Sequence, residues 1–230
     1  MHRRSTQLAL VVAGIMLVSG TPAAAARPAA PQVHVQSQAL LSPDGRSMTV
    51  DVLASCAERS TVLEASVTVS QSQGSGRASF PLTCVGSLRN FRVTVPGTFT
   101  LAPARVSATV VVKSGRTQSA QDSEAVDVQP RVDVELADTA RLESGAVTLD
   151  VAVACPVGAV GLLSRLGVFQ GQTSGVGTYT PICDGARHTF PVRVTGAYQP
   201  GPAQALTFAD VEHAGTLVSG VDDGAITVAP

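Results

Sequence analysis

The sequence predicts an all-β protein made of two tandem β-sandwich domains, and three observations predict it. Apolar and polar residues alternate in run after run of the 230-residue chain. Residues 33–104 align without a gap to residues 132–203. The four cysteines fall at matching places in the two aligned segments, Cys56 with Cys155 and Cys84 with Cys183. A period of two sends successive side chains to opposite faces of a sheet, so each run has one dry face. Stretches of helical period are absent beyond the leader.

Residues 1–26 read as a secretory signal peptide. Arg3 and Arg4 form a positive start, Leu8 to Val18 an apolar run, and Ala23 to Ala26 a small-residue cleavage site. The apolar run is about half the ~20 residues that a membrane helix needs. A secreted, extracellular protein with no stable membrane insertion after cleavage is expected, with first and second sandwich repeats at 32–129 and 131–230. The junction at Gln129-Pro130-Arg131 is too short for a flexible spacer, so the repeats are expected to touch.

Each repeat divides into about seven short strands. The first carries Val33 and Val35, aligned with Val132 and Val134. In the second, Met48, Val50, Val52 and Ala54 alternate with Thr49, Asp51 and Leu53; Val147, Leu149, Val151 and Val153 match them. The third has Leu63, Ala65, Val67 and Val69, matched by Leu162, Ser164, Leu166 and Val168. Ala78, Phe80, Leu82 and Cys84 form the fourth, which places Cys84 at its end, and Phe91, Val93 and Val95 the fifth. The sixth has Val106, Ala108, Val110 and Val112 and the last Val126 and Val128, with Ala225-Ile226 matching Ala125-Val126 one residue further along. In the second repeat Leu206 and Phe208 stand one step out of parity with Val106, Ala108 and Val110, which leaves the register of that strand open. β-Branched residues fill the runs and Gly, Pro and Ser separate them. Seven short strands in about a hundred residues specify an immunoglobulin-like sandwich in each repeat.

Four cysteines allow three pairings. The repeat symmetry favours Cys56–Cys84 and Cys155–Cys183, one disulfide per domain, and export makes oxidation reasonable. No C-x-x-C pair is present, which argues against a structural metal site.

The composition narrows the function. Hydrophobic residues make up 44% and charged residues 14% of a chain with formal charge −1, which excludes a strongly basic nucleic-acid binder. Fifteen Arg against the single Lys113 suggests a GC-rich bacterial source. Residues 33–131 carry nine basic and seven acidic side chains, residues 132–230 four and ten, so the halves differ in sign. With two Tyr, six Phe and no Trp, rings for a sugar-stacking platform are few. Phe80, Phe91, Tyr179 and Phe190 fall on the inward parity, and Phe99 and Tyr198 at one equivalent spot.

No constellation for catalysis stands out. His188 falls in an Asp184-Gly185 turn and lacks a counterpart, since Arg89 takes its place in the first repeat. No G-x-S-x-G elbow is present. Asp222-Asp223-Gly224 reads as a solvated turn before the last strand and not as a calcium site. Gln71-x-Gln73-x-Ser75-Gly76 recurs as Gln170-x-Gln172-x-Ser174-Gly175 and reads as a hairpin turn between the third and fourth strands. Thr49-x-Asp51 and Thr148-x-Asp150 read as a solvated strand face. No catalytic, cofactor-binding or metal-ligating residue is assigned, and the chain is not expected to be an enzyme.

With these motifs in view, the chain resembles a family of uncharacterised secreted actinobacterial immunoglobulin-like β-sandwich domains. The residues that carry the resemblance are the Ser55-Cys56 and Ala154-Cys155 strand ends, Ser75-Gly76, Cys84-x-Gly86, Phe91-x-Val93-x-Val95, and the turns at Pro103-Ala104 and Pro200-Gly201-Pro202-Ala203. Phe91 and Phe190 stand where the family has Trp. The resemblance implies the fold and no activity. A non-catalytic protein that binds a protein or cell-envelope partner through its loops is expected first. The alternative is a small-molecule carrier, similar in architecture to actinomycete chromoprotein apoproteins. An open apolar cleft between the sheets would favour the carrier and a flat apolar surface patch the partner binder.

Overall fold

A computed structural model describes residues 29–230; the signal peptide read at 1–26 lies outside the described residues. The first unit contains β1 (Gln32–Leu41), β2 (Ser47–Ser55), β3 (Thr61–Gln71), β4 (Gly74–Ser79), β5 (Arg89–Pro96), β6 (Ala104–Ser114) and β7 (Arg116–Pro130). Its strand order is β4-β3-β6-β7-β1-β2-β5. The sheet of β4, β3, β6 and β7 faces the sheet of β1, β2 and β5, and β1 joins them. It pairs antiparallel with β2, shifts register between Val35 and Ala39, and beyond that step also runs parallel to the end of β7. This crossed connection of third, sixth and seventh strands against second and fifth is immunoglobulin-like.

The second unit repeats the order with β8 (Asp133–Leu136), β9 (Thr139–Glu143), β10 (Ala146–Ala154), β11 (Val160–Gly161), β12 (Ser164–Gln170), β13 (Thr173–Tyr179), β14 (Arg187–Val194), β15 (Gly201–His213) and β16 (Thr216–Ala229). The path is β13-β12-β15-β16-β9-β10-β14, with β8 on β10 and β11 on β15. Nine strands stand where about seven were expected, because two strands are broken. The first is cut at Ala137 and Asp138, where the chain steps between sheets: the Ala137 N–H donates to the Asp150 carbonyl at 3.0 Å, and the Thr227 N–H donates to the Asp138 carbonyl at 2.8 Å. In the first unit the same step is a register shift inside one strand. The start of the third strand separates as the two-residue β11.

Each unit closes on one core, built mainly of Val, Leu and Ala as a chain poor in aromatics requires. Val50, Val52, Val67, Val69, Val106 and Val110 fill the first; Leu149, Val151, Leu166, Val168 and Val211 lie at the centre of the second. The sixth strand of the second unit keeps the parity of the first. Ala203, Ala205, Thr207, Ala209 and Val211 face inward, aligned with Ala104, Val106, Ala108, Val110 and Val112. Leu206 and Phe208 therefore point out of the sandwich.

Disulfides join Cys56 to Cys84 and Cys155 to Cys183, each with Cα atoms 4.8 Å apart. The fourth strand ends earlier than the alternation suggested, at Ser79 and Tyr179. Pro81 and Pro181 follow and have no N–H for a ladder. From there the chain crosses to the opposite sheet, and Cys84 and Cys183 sit on that crossing. Each bridge thus ties the end of the second strand to the segment that changes sheets. The Gly86 N–H donates to the Cys56 carbonyl and the Gly185 N–H to the Cys155 carbonyl, at 3.0 and 3.1 Å.

The junction is anchored by Arg131. Its N–H donates to the Leu41 carbonyl at 3.1 Å, and its guanidinium reaches Thr49 Oγ1 at 3.3 Å on one side and Asp133 at 2.6 Å on the other. Thr49 is consequently 4% exposed and belongs to no solvated face. Asp51, one step along β2, does remain at the surface, where it pairs with Arg92 at 3.1 Å.

Candidate functional site

The outward parity of β13, β12, β15 and β16 builds one surface. Register aligns it in rows: Thr178, Arg165, Phe208 and Val221; then Val176, Gly167, Leu206 and Asp223; then Ser174, Phe169, Gln204 and Ala225. Phe169, Phe208, Val176 and Val221 are 47%, 44%, 62% and 59% exposed, and Leu206 is half-buried among them. Gly167 sits in the middle. A Cβ there would approach the Phe169 ring to 3.1 Å, so the missing side chain lets the ring lie flat across β12. The result is a continuous apolar patch with Arg165, Asp223, Gln204 and Asp210 around it, an apolar centre with a polar rim.

The first unit presents the same face with opposite chemistry. Its rows are Ser79, Ser66, Thr109 and Gln121, then Arg77, Thr68, Ser107 and Ser123, then Ser75, Ser70, Arg105 and Ala125. At equivalent positions Ser70 stands for Phe169, Arg77 for Val176, Ser107 for Leu206, Thr109 for Phe208 and Gln121 for Val221. The fold therefore does not need apolar side chains there; one unit has them and the other does not. Of the eight aromatic rings in the chain, six belong to the sandwiches: Phe80 and Phe91 pack at 5.1 Å, Tyr179 and Phe190 at 5.6 Å, and Phe99 and Tyr198 are buried. The two that remain, Phe169 and Phe208, are both on this face.

The polar motifs serve the scaffold. Gln71 and Gln170 leave the hairpin and reach the loop before the sixth strand. Gln71 Nε2 donates to the carbonyls of Thr100 and Ala102 at 3.0 and 2.6 Å, and its Oε1 accepts the Thr100 N–H at 2.9 Å. The turn itself is Ser72-Gln73, or Gly171-Gln172, because Gln71 pairs with Gly74 and Gln170 with Thr173. Ser75-Gly76 and Ser174-Gly175 are strand residues, not turn residues. Their glycines permit close approach of the facing sheet, since a Cβ at Gly76 would lie 2.0 Å from the Pro96 carbonyl oxygen and one at Gly175 2.4 Å from that of Thr195.

Asp222, Asp223 and Gly224 lie inside β16 and form no turn. Asp222 Oδ2 accepts the Leu136 N–H at 2.8 Å, just before the break between β8 and β9. Asp122 does the same for Val35 at 2.8 Å, before the register shift of β1. These two aspartates fill the amide left open where the first strand changes sheets. Sequence reading missed Asp122; the displaced alignment that matches Ala125 to Ala225 also matches Asp122 to Asp222, and that was the signal available.

His188 lies on β14 and not in the turn. Its Nε2 is 2.9 Å from Asp184 Oδ1, which also accepts the Ala186 N–H at 2.9 Å, so the pair locks the Asp184-Gly185 bend. Both bonds hold the Asp184 carboxyl below its usual range, the histidine contributing most. Among the described residues no three His, Cys, Asp or Glu side chains form a cluster that could hold a metal ion, and no helix is long and apolar enough to cross a membrane. Two clefts of about 460 and 400 Å³ open at the surface. Ser42, Asp44, Arg131, Asp133 and Arg187 are among the residues lining the first, and Gln36, Gln38, Asp51 and Asn90 the second; both are mainly polar and open to solvent.

No family model matches the chain, and no curated protein is similar to it in sequence. Among solved structures it is similar to the complex of Dpr2 Ig1-Ig2 with DIP-Theta Ig1-Ig3, at 11% identity and a TM-score of 0.27, over 87% of this chain and 65% of that one. It is also similar to the polymeric Ig receptor ectodomain of a teleost fish, at 13% identity and a TM-score of 0.28, over 86% of this chain and 97% of that one. The immunoglobulin-like assignment itself rests on strand order.

Proposed function

We propose that the chain is an exported, non-catalytic binding protein, organised as tandem repeats at 32–129 and 131–230, that holds a protein partner on the outer face of β13-β12-β15-β16. One observation carries the reading: five positions of this face are apolar in the second unit and polar in the first. Contiguous exposed apolar surface is uncommon on a soluble chain unless something covers it. Tightly packed strands with short connections supply a rigid platform, which lowers the ordering cost of binding. The expectation of binding through loops gives way here to binding through a sheet face. The small-molecule carrier would need an apolar cleft between the sheets; the two clefts above are polar and superficial, and a cleft of about 200 Å³ with mainly apolar lining lies instead where the units meet, beside Leu101, Val128, Pro130 and Val218.

The test replaces the five residues by those of the first unit: Phe169→Ser, Val176→Arg, Leu206→Ser, Phe208→Thr and Val221→Gln. The mature chain and this variant are immobilised side by side and exposed to culture fluid, cell-envelope extract and the purified chain itself. Retention of a protein by the native chain and its loss by an equally stable variant is expected. Equal retention by both, or recovery of a small molecule alone, would overturn the reading.

A further inference from the structure

The rim of the apolar face carries its own complement. Arg165 is exposed on β12 and Asp223 on β16, with β15 between them. Among the described residues neither enters an ion pair, while Arg77, Arg92, Arg131, Arg141, Arg187 and Arg193 all do. Arg165 stands in the row of Phe208, and Asp223 in the row of Leu206. The midpoint between the two charges therefore falls on β15, between Phe208 and Leu206, at the middle of the patch.

That placement makes the face complementary to itself. A two-fold axis lying in the face, through this midpoint and perpendicular to the Arg165–Asp223 line, sets Arg165 of each copy over Asp223 of the other. The same rotation brings Phe208 of each copy against the Phe208 and Val221 region of its mate, and Phe169 against the region of Phe169, Ser174 and Val176. An isologous contact of this kind closes after two chains. The equivalent face of the first unit is the poorer second half of the contact, because Ser70, Arg77, Ser107, Thr109 and Gln121 would lose water opposite the rings with no apolar surface in return.

Resting on the reading that this face binds a protein, we infer that the partner is a second copy of the same chain: the protein forms a two-fold dimer through β13-β12-β15-β16, with reciprocal Arg165–Asp223 pairs flanking a core of Phe169, Leu206, Phe208 and Val221. Four strands span only about 19 Å at ~4.8 Å spacing, a platform near the small end of stable interfaces. The dimer is accordingly expected to dissociate in the micromolar range.

Charge reversal tests the pairing by sedimentation velocity on the purified mature chain across the micromolar range. Arg165→Glu alone and Asp223→Arg alone each place like charges opposite one another, and each should weaken the dimer about tenfold. An equimolar mixture of the two single variants restores both opposite-charge contacts and should recover dimers. So should the chain carrying both changes. Phe208→Thr should give a monomer. A native chain that stays monomeric, or single reversals that leave the dimer unchanged, would overturn the inference. So would association that grows into filaments, which marks a head-to-tail contact. A monomeric native chain would leave the capture experiment with the five-residue variant to decide separately whether the face binds another protein.

Discussion

Gln170 grips the backbone of Gln199 from both sides. Its Oε1 accepts the Gln199 N–H at 2.9 Å, and its Nε2 donates to the Gln199 carbonyl at 2.8 Å. Gln71 holds Thr100 in the same way in the first unit. A side-chain amide here completes a ladder rung that the loop before the sixth strand has no strand partner to provide. Gln170→Ala removes both bonds and a longer one to the Pro202 carbonyl at 3.4 Å, at a half-exposed site where water replaces part of the loss, so a destabilisation of about 1–2 kcal/mol is expected. Hydrogen exchange at the Gln199 amide should accelerate far more than at core amides of β12. Unchanged exchange there would show that the clamp does not hold the loop.

Tyr179 and Thr207 form a second pair that the repeat itself dissects. The Tyr179 hydroxyl shares its proton between Thr207 Oγ1 at 2.9 Å and the Phe208 carbonyl at 3.2 Å, while Thr207 donates to the Arg165 carbonyl at 3.0 Å. The first unit has Phe80 and Ala108 at these places, so an apolar pair fits the same backbone. Tyr179→Phe and Thr207→Ala should each destabilise by about 1–2 kcal/mol, with a coupling of about 0.5–1.5 kcal/mol that makes the double variant cheaper than the sum. Additive losses in chemical denaturation would show that the two hydroxyls act independently.

Strand alternation made most of the fold legible because inward positions are apolar and most outward ones polar in β2, β6 and β10, with Leu53, Val111 and Ala152 as the outward exceptions; in β3 it holds from Ala65 onward, while the bulge between Val62 and Glu64 turns Leu63 out to solvent. It fails at β15, where Leu206 and Phe208 are apolar on the outward parity while Ala203, Ala205 and Thr207 face inward with little bulk. A strand apolar on both faces has no readable register from its own sequence. That ambiguity is itself the trace of the candidate site, and comparison with Ser107 and Thr109 in the aligned repeat is what resolves it. The Gln and Asp motifs were visible as repeated residues, but their partners are remote in sequence: Thr100 and Gln199 become neighbours of Gln71 and Gln170 only when the sixth strand pairs with the third, and Val35 and Leu136 meet Asp122 and Asp222 only when the first strand changes sheets.

The disulfides should carry a large share of each unit's stability. Each closes a loop with a sequence separation of 28, for which the chain-entropy relation gives about 3–4 kcal/mol. Units of about a hundred residues with Val-rich cores have little reserve beyond that. Cys155→Ala with Cys183→Ala should lower the unfolding midpoint of the second unit by roughly 12–30 °C and leave the Cys56–Cys84 unit nearly unchanged. Calorimetry of the single-bridge variants resolves the two transitions. A loss shared equally by both units would mean that they unfold as one.

Alkaline pH provides a spectroscopic check on the burial of both tyrosines. Burial pushes the Tyr179 phenol above its ordinary value of 10.0, with Thr207 as an opposing hydrogen-bond partner, and burial alone pushes Tyr198 the same way. The Tyr198 hydroxyl is sealed against the Val168 carbonyl at 3.0 Å. Both phenols are neutral well below pH 10 in either state, so their contribution to stability is fully present there. As pH rises past 10.0 the unfolded chain ionises first, and stability is lost through the interval up to the folded-state values. Since these are the two tyrosines of the chain, phenolate absorbance reports them without interference. At pH 10 the native protein should show clearly less than half of its final phenolate signal, while the protein in urea shows about half. Tyr198→Phe should halve the late titration and leave Tyr179 still delayed. A native titration that superimposes on the unfolded one would refute the burial of these rings, and with it the packing of Tyr198 beneath Gly175 that seals the second sandwich.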